Sequence, residues 1–500
     1  MVRGVTRTVL LRPVSAPFQA SVSPEAPTQA QTITVTQSKQ AAALSDKAAL
    51  KRRVWGLAIP SIGEQLLTLG VGLSDTFLAG HLTQHATAQV GYGQATAVDS
   101  VAIASTAAWI VLTVFFAINV GVTALVARAT GAKDRTLAAR AAGQGILLAV
   151  AIGLGIIALA LPLASAITSL LGVSGQVAEL ATQYIRIFSL AMPAAGAASA
   201  INAAMRGAGD ARRPLLVMLV VNGANVLGSW TLMNGFEPLG IPAIGVVGSA
   251  CGAACGWALG CLLAIFLLRR EHPRAPRLTR AALRPSRDII RRILRVGLPS
   301  SAELVIFQIG ILTFNRSVIG LGPVVYAANA TINTVDSLGT LPGFGFSVAA
   351  TALVGQALGA ANPEQAERAV WESMKPCLLV MTAVGIIEAV VPHLMLGLFI
   401  ADPAVLKAGD IAMRLSILTL PASACTFVFN GALRGAGDTK FPVIVRAGGT
   451  WGMRVPLATL LLIPLLGLPG ARLAMALDFT TQAGLAYWRF RSGHWRKTRV

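Results

Sequence analysis

The sequence is short of charge, and of negative charge above all. Only 12% of its 500 residues are Asp, Glu, Lys or Arg, against about 25% in an ordinary soluble domain, and 21 acidic residues face 41 basic ones. A soluble core of this length could not cover its own surface with so few charges. Five cysteines, at 251, 255, 261, 377 and 425, form no CxxC or paired Cys/His spacing. That excludes a disulfide framework and a zinc set. HExxH, GxSxG and paired catalytic Asp in neighbouring helices are also missing, which leaves an intramembrane enzyme without a motif. A net charge of +20 would suit a nucleic-acid binder, but such proteins are charge-rich. The 54% hydrophobic content excludes disorder. What remains is an all-α polytopic membrane protein.

A bilayer core of ~30 Å takes ~20 mostly apolar helical residues. Uncharged runs of that order cover 101–127, 141–178, 214–236, 238–268, 337–363 and 415–433. Runs with a few charges each, from two to five, cover 54–80, 176–206, 290–320, 371–400, 442–466 and 471–487. These twelve spans account for nearly everything after residue 53. The positive-inside rule orients them. With both termini cytoplasmic, that side collects Lys51, Arg52, Arg53, Lys133, Arg135, Arg140, Arg206, Arg212, Arg213, Arg368, Arg434 and Lys440. The segment 269–295 adds ten Arg, and the opposite side keeps chiefly Lys407 and Arg472. The expected organisation is a disordered cytoplasmic tail at 1–50, an N-lobe at 51–270 and an Arg-rich cytoplasmic linker at 271–288. A C-lobe at 289–490 and a basic tail at 491–500 complete it. A multi-pass protein of the plasma (inner) membrane is implied, with anionic headgroups beside its cytoplasmic face.

The chain repeats itself. Arg206-Gly-Ala-Gly-Asp210 recurs as Arg434-Gly-Ala-Gly-Asp438, and Thr123-Ala-Leu-Val126 as Thr351-Ala-Leu-Val354, both at an offset of 228. Arg140, Arg186 and Pro193 match Arg368, Arg414 and Pro421 at the same offset. Pro60-Ser61 with Glu64 matches Pro299-Ser300 with Glu303 at 239. Six helices per unit is an even number, so the repeats are parallel, two lobes about a central cavity, as alternating access requires. In the Arg-Gly-Ala-Gly-Asp turns, Gly supplies the left-handed residue that ends one helix and Asp caps the next. Arg206, Asp210, Arg434 and Asp438 read as topology-fixing turn residues, the Arg reaching anionic headgroups.

With these turns in place, the sequence resembles the multidrug and toxic compound extrusion (MATE) antiporters, within the superfamily that includes lipid-linked sugar flippases. Further matches are Asp75-Thr76-Phe77-x-x-Gly80, Thr123-Ala-Leu-Val-Ala-Arg128-x-x-Gly131-Ala132 and Pro342-Gly-Phe-Gly-Phe-Ser-Val348 with Gly355-Gln356. The resemblance spans about 51–495. It implies cation-coupled export of amphipathic, often cationic, drugs, with Asp75 at the position that binds the proton or cation in relatives. The NxxxD motif that relatives show on the fifth helix reads Asn225-x-x-x-Ser229 here. The segment 421–430 lacks the tenth-helix Asp of sodium-type relatives. Both departures favour H+ over Na+.

Acids inside apolar spans are functional candidates because their burial is expensive. Asp75 and Glu64 share one helix face, about 16 Å apart along the axis. Glu303 on the seventh helix and Asp336 on the eighth are expected to line the C-lobe cavity, and Asn225 to serve the N-lobe site. Arg446, Arg454 and Asp478 read as buried structural pairs, Glu179 and Glu388 as interfacial. Phe307, Phe344 and Phe346 could offer ring faces to a cationic substrate. The expected protein is a monomeric antiporter, without cofactor or bound metal, that exchanges an amphipathic small molecule for H+ or Na+. A flippase of lipid-linked saccharide is the alternative, and it should carry several cationic groups in its cavity.

Overall fold

A computed structural model describes residues 29–270, 276 and 278–498. The chain divides into Met1–Ala49 and Leu50–Val500, and the second unit contains both lobes. Residues 1–28 of the expected tail lie outside the described residues. From Gln29 the described chain is helical, so the disordered tail expected up to residue 50 is not found over 29–50.

Among the described residues twelve long helices follow one another. In the first half they are α1 (Gln29–Gly80), α2 (Gln94–Gly131), α3 (Arg135–Leu170) and a two-part α4 (Gly175–Leu190 and Met192–Gly207). The half closes with α5 (Arg212–Asn234) and α6 (Val246–Arg269). In the second they are α7 (Arg287–Ile319), α8 (Pro323–Gly359), α9 (Pro363–Val390) and a two-part α10 (Pro403–Arg414 and Ser416–Ala436). There α11 (Lys440–Leu466) and α12 (Leu468–Arg491) finish the order. Among the described residues eleven of these are long and apolar enough to cross a membrane, counting α4, bent by 52°, as one span. The exception is α12, whose interior carries Arg472 and Asp478. Both are buried and ion-paired, so the helix belongs inside the bundle.

The repeat governs contacts as well as sequence. Thr123 Oγ1 donates to Ala203 O at 3.1 Å, and Thr351 Oγ1 to Gly431 O at 2.8 Å. Arg186 Nε donates to Leu161 O and Arg414 Nη1 to Ala389 O, at 3.2 and 3.0 Å. Asp134 caps α3 through Leu137 N, and Asn362 caps α9 through Gln365 N. The residues before these caps, Lys133 and Ala361, both take a left-handed backbone (φ 59° and 56°). Every member of these pairs lies 228 residues from its counterpart. Two lobes with the same local solutions at the same positions are the structural form of a duplicated six-helix unit.

The lobes meet at the end that holds Arg53 and Trp55 of α1 and the close of α12. A Cβ on Gly121 would lie 2.3 Å from Ile293 O, and one on Gly297 2.1 Å from Ala117 O, so α2 and α7 touch backbone to backbone. Nearer the end, a Cβ on Gly131 would meet Gln356 O at 1.9 Å, and one on Gly359 would meet Arg128 O at 2.0 Å. Trp55 of α1 packs edge-on against Phe346 of α8, ring centroids 5.4 Å apart. Polar contacts seal the same seam. Gln356 Nε2 donates to Gly207 O at 2.8 Å, and its Oε1 accepts from Arg53. Arg128 Nη1 donates to Thr498 O at 2.8 Å and to Ala436 O at 3.4 Å. Arg128 and Gln356 are repeat counterparts, and each closes the end of an Arg-Gly-Ala-Gly-Asp helix in the other lobe.

The linker is docked rather than loose where it is described. Gln144 of α3, fully buried, donates to Ala282 O and Arg284 O at 3.0 and 2.9 Å and accepts from Ser286 N at 2.8 Å. A short 3-10 turn, Arg280–Leu283, results, and α7 begins at Arg287. Residues 271–275 and 277 of the linker lie outside the described residues.

Candidate functional site

Asp75 sits one and a half turns before the end of α1, 1% exposed. Its carboxylate is held by neutral donors from two other helices. Tyr184 Oη of α4 donates to Oδ2 at 3.1 Å. On α5, Asn225 Nδ2 and Ser229 Oγ donate to Oδ1 at 3.1 and 3.3 Å. Asn225 and Ser229 are one turn apart on a single face, so both reach the same oxygen. Ser74 Oγ lies 3.2 Å from Asn225 Oδ1, which turns the amide nitrogen toward Asp75. Among the described residues no cation pairs with Asp75. A buried carboxylate met only by dipoles keeps a desolvation cost that a proton or cation can remove.

Glu64, on the same helix, is in a different situation. It forms a short ion pair with Arg206 at the end of α4. The repeat reproduces this in the C-lobe, where Arg434 Nη1 lies 3.2 Å from Glu303 and Nη2 reaches Ser347 Oγ at 3.2 Å. Arg446 adds a second cation to Glu303 at 3.6 Å, with its guanidinium 4.3 Å from the Phe307 ring. The headgroup role expected of Arg206 and Arg434 is therefore replaced by pairing inside the lobes, their side chains only 15% exposed. The two turn acids also diverge. Asp210 accepts from Arg212 N and Arg213 N as a cap, whereas Asp438 accepts from Arg489 Nε at 2.8 Å. Left-handed glycines end both helices, Gly209 (φ 90°) and Gly437 (φ 85°).

Asp336 and Glu303 do not share partners. Asp336 accepts from Arg472 Nη1 at 2.6 Å and Ser416 Oγ at 3.0 Å. Arg472, expected in an outer loop, is 1% exposed in α12 and also reaches Asn333 Oδ1 at 2.9 Å. Arg454 pairs with Asp478 at 2.7 Å as expected, while Arg446 goes to Glu303 instead. Arg454 stands in a π-helical stretch, Thr450–Arg454, a widened turn that re-aims side chains. Glu388, expected at an interface, is 1% exposed. Phe346 is buried in the seam between lobes, not in a cavity. Phe344 is exposed and lies tilted against Phe427, ring centroids 4.6 Å apart. Among the described residues no group of three His, Cys, Asp or Glu side chains could hold a metal ion.

Sequence reasoning reached Asp75 and Asn225 but not Tyr184. A tyrosine on α4, 109 residues from Asp75, enters the site only through helix packing. Ser229 was visible as the residue in place of a second acid, and its hydroxyl supplies a donor there.

Two pseudo-symmetric six-helix lobes with acids buried inside their spans mark a multi-pass membrane carrier rather than an enzyme. The comparison with protein families is specific. The MatE family model matches residues 60–231 and again 299–460, once per lobe, and the chain belongs to that family. A probable multidrug resistance protein NorM of Thermotoga maritima is 29% identical over 454 residues, 90% of this chain and 94% of its own. A NorM protein of Deinococcus radiodurans is 30% identical over 400 residues, 77% of this chain and 85% of its own. Among solved structures, the outward-facing conformation of a multidrug resistance MATE family transporter of the MOP superfamily superposes with a TM-score of 0.79. That match covers 90% of this chain and 97% of the other at 23% identity, and it shows the fold. The chain is thus a MATE-type transporter.

Proposed function

We propose that the protein is a secondary active antiporter that exports amphipathic, cationic small molecules in exchange for H+, with Asp75 binding the coupling ion. The observation that carries this reading is the Asp75 carboxylate, buried and held by Tyr184, Asn225 and Ser229, with no cation beside it among the described residues. One carboxylate suffices for a proton. An alkali cation needs several oxygens turned inward, whereas Asn225 presents its amide nitrogen. A relative bearing the name multidrug resistance protein across nearly its whole length supports the substrate class.

The seam between lobes is the gate of an alternating-access cycle. The basic residues around it, Lys133, Arg135, Arg140, Arg212 and Arg213, support a cytoplasmic position for that end. The conformation described above is then closed inward. Both termini are cytoplasmic, and the location is the plasma membrane.

Purified protein in liposomes, loaded with a fluorescent cationic dye and placed under a pH or a sodium gradient, tests the proposal. Dye movement should follow the pH gradient and ignore sodium. Movement driven by sodium alone would replace the coupling ion, and dye movement insensitive to both gradients would sink the antiporter reading.

A further inference from the structure

Glu388 lies two residues before the end of α9, and the mechanism above makes no use of it. It is 1% exposed, and neither carboxyl oxygen has a hydrogen-bond donor among the described residues. The reason is visible in its neighbours. The carboxyl faces that of Asp336 on α8, with the Ser416 hydroxyl and the Arg472 guanidinium next to it. Ser416 has one hydroxyl proton and gives it to Asp336 Oδ1 at 3.0 Å. Arg472 spends Nη1 on Asp336 and Nη2 on Asn333 Oδ1 and Asn329 Oδ1. A Cβ on Gly339 would lie 3.2 Å from Glu388 Oε1, so the α8 backbone passes close over the group.

The remaining charges near this corner are engaged elsewhere. From α10, Arg414 pairs with Asp410 at 3.1 Å and donates to Ala389 O. His393, just beyond α9, lies 3.5 Å from Asp410. All three of these groups stand toward the lobe surface, with side chains at least a fifth exposed.

Two facing carboxylates and one guanidinium sum to one uncompensated negative charge in a desolvated site. Two carboxylates in contact cannot both ionise at low cost, and one of them holds a proton. We propose that Asp336 and Glu388 bind one proton between them, forming a proton site of the C-lobe distinct from Asp75. The O–H bond sits on Glu388 and is donated to the Asp336 carboxylate, which keeps its ion pair to Arg472. That arrangement makes the triad neutral and gives a buried orphan acceptor the role of donor. The N-lobe has no counterpart. The residue 228 positions before Glu388 is Ala160, and the one before Asp336 is Ala108.

A proton held by this pair is testable apart from transport. Infrared difference spectra, in water and in deuterium oxide at neutral pH, are recorded on the purified Asp75→Asn protein, which removes the N-lobe acid. A protonated-carboxyl C=O band that shifts on deuteration is expected, and it should vanish in Asp75→Asn/Glu388→Gln. Identical spectra of the two proteins would overturn the proposal. Asp75→Asn/Asp336→Asn gives an independent reading. With Asp336 neutral, Arg472 should recruit Glu388 as its anion and the band should again be lost. A band that persists there would show Glu388 protonated without a partner, and the shared site would fall.

Discussion

Asp75 and Glu64 stand eleven residues apart on α1, and their environments give them opposite roles. Glu64 is neutralised by a full positive charge, whereas Asp75 meets only dipoles. Asp75→Asn keeps the shape of the side chain and a hydrogen-bonding carbonyl, so the protein should fold with little change in melting temperature. Gradient-driven dye export in liposomes should be lost. Full export by this variant would remove Asp75 from coupling. Glu303→Gln should act the other way round. It leaves Arg434 and Arg446 without their shared anion in a site whose carboxylate is 5% exposed. Breaking a buried pair from one side costs about 3–5 kcal/mol. A clear drop in melting temperature in detergent is expected, and an unchanged value would make Glu303 dispensable to the lobe. At this scale the sequence made Asp75 legible, because an acid in an apolar run stands out. The partners were not legible. Tyr184 is one polar group on a long helix, and only packing brings it to α1. Glu388 looked interfacial because two residues separate it from a helix end, yet α8 and α10 pack over that end. Arg206 and Arg434 looked like loop cations for the same reason, and Glu64 and Glu303 draw them inward.

Elements explain why the lobes hold their shape with so little charge. Each Arg-Gly-Ala-Gly-Asp turn carries a left-handed Gly that ends a helix and an Arg that folds back into its own lobe. Apolar runs and the 228-residue repeat made these elements readable in advance, whereas the paired caps Asp134 and Asn362 emerge only in the structure. The linker was readable only as a charge run. Its docking depends on one side chain, Gln144, which holds three backbone groups of the segment 282–286. Each such bond is worth about 1 kcal/mol net, and more is lost when buried groups are left unpaired. Gln144→Ala should therefore release the segment while leaving the helices in place. Limited trypsin digestion, which has several Arg targets between 280 and 292, should cut the variant faster than the parent chain. Equal cleavage rates would mean that other contacts hold the linker.

The whole molecule turns on how tightly two lobes can approach at one end. Gly131 and Gly359 are repeat counterparts, and each leaves space for the backbone of the opposite helix, Gln356 O and Arg128 O. A methyl group at either position would overlap backbone, which cannot swing aside as a flexible side chain does. Gly359→Ala should therefore open the gate, because the closed arrangement has no place for the added atom. A ligand or mutation shifts a two-state equilibrium only by its differential effect on the two states. This substitution penalises one state and leaves the interior of each lobe alone. Spin labels at Thr136 and Glu364, exposed counterparts on the gate face, report the change as a distance distribution. The variant should move the distribution to longer distances, and Gly56→Ala, with open space around its Cβ, should not. Arg128→Ala removes contacts from Thr498 O and Ala436 O without adding bulk, so its distribution should broaden toward the same longer distances. If Gly359→Ala leaves the distribution where the parent chain has it, this seam is not the gate, and the lobes must separate at another surface.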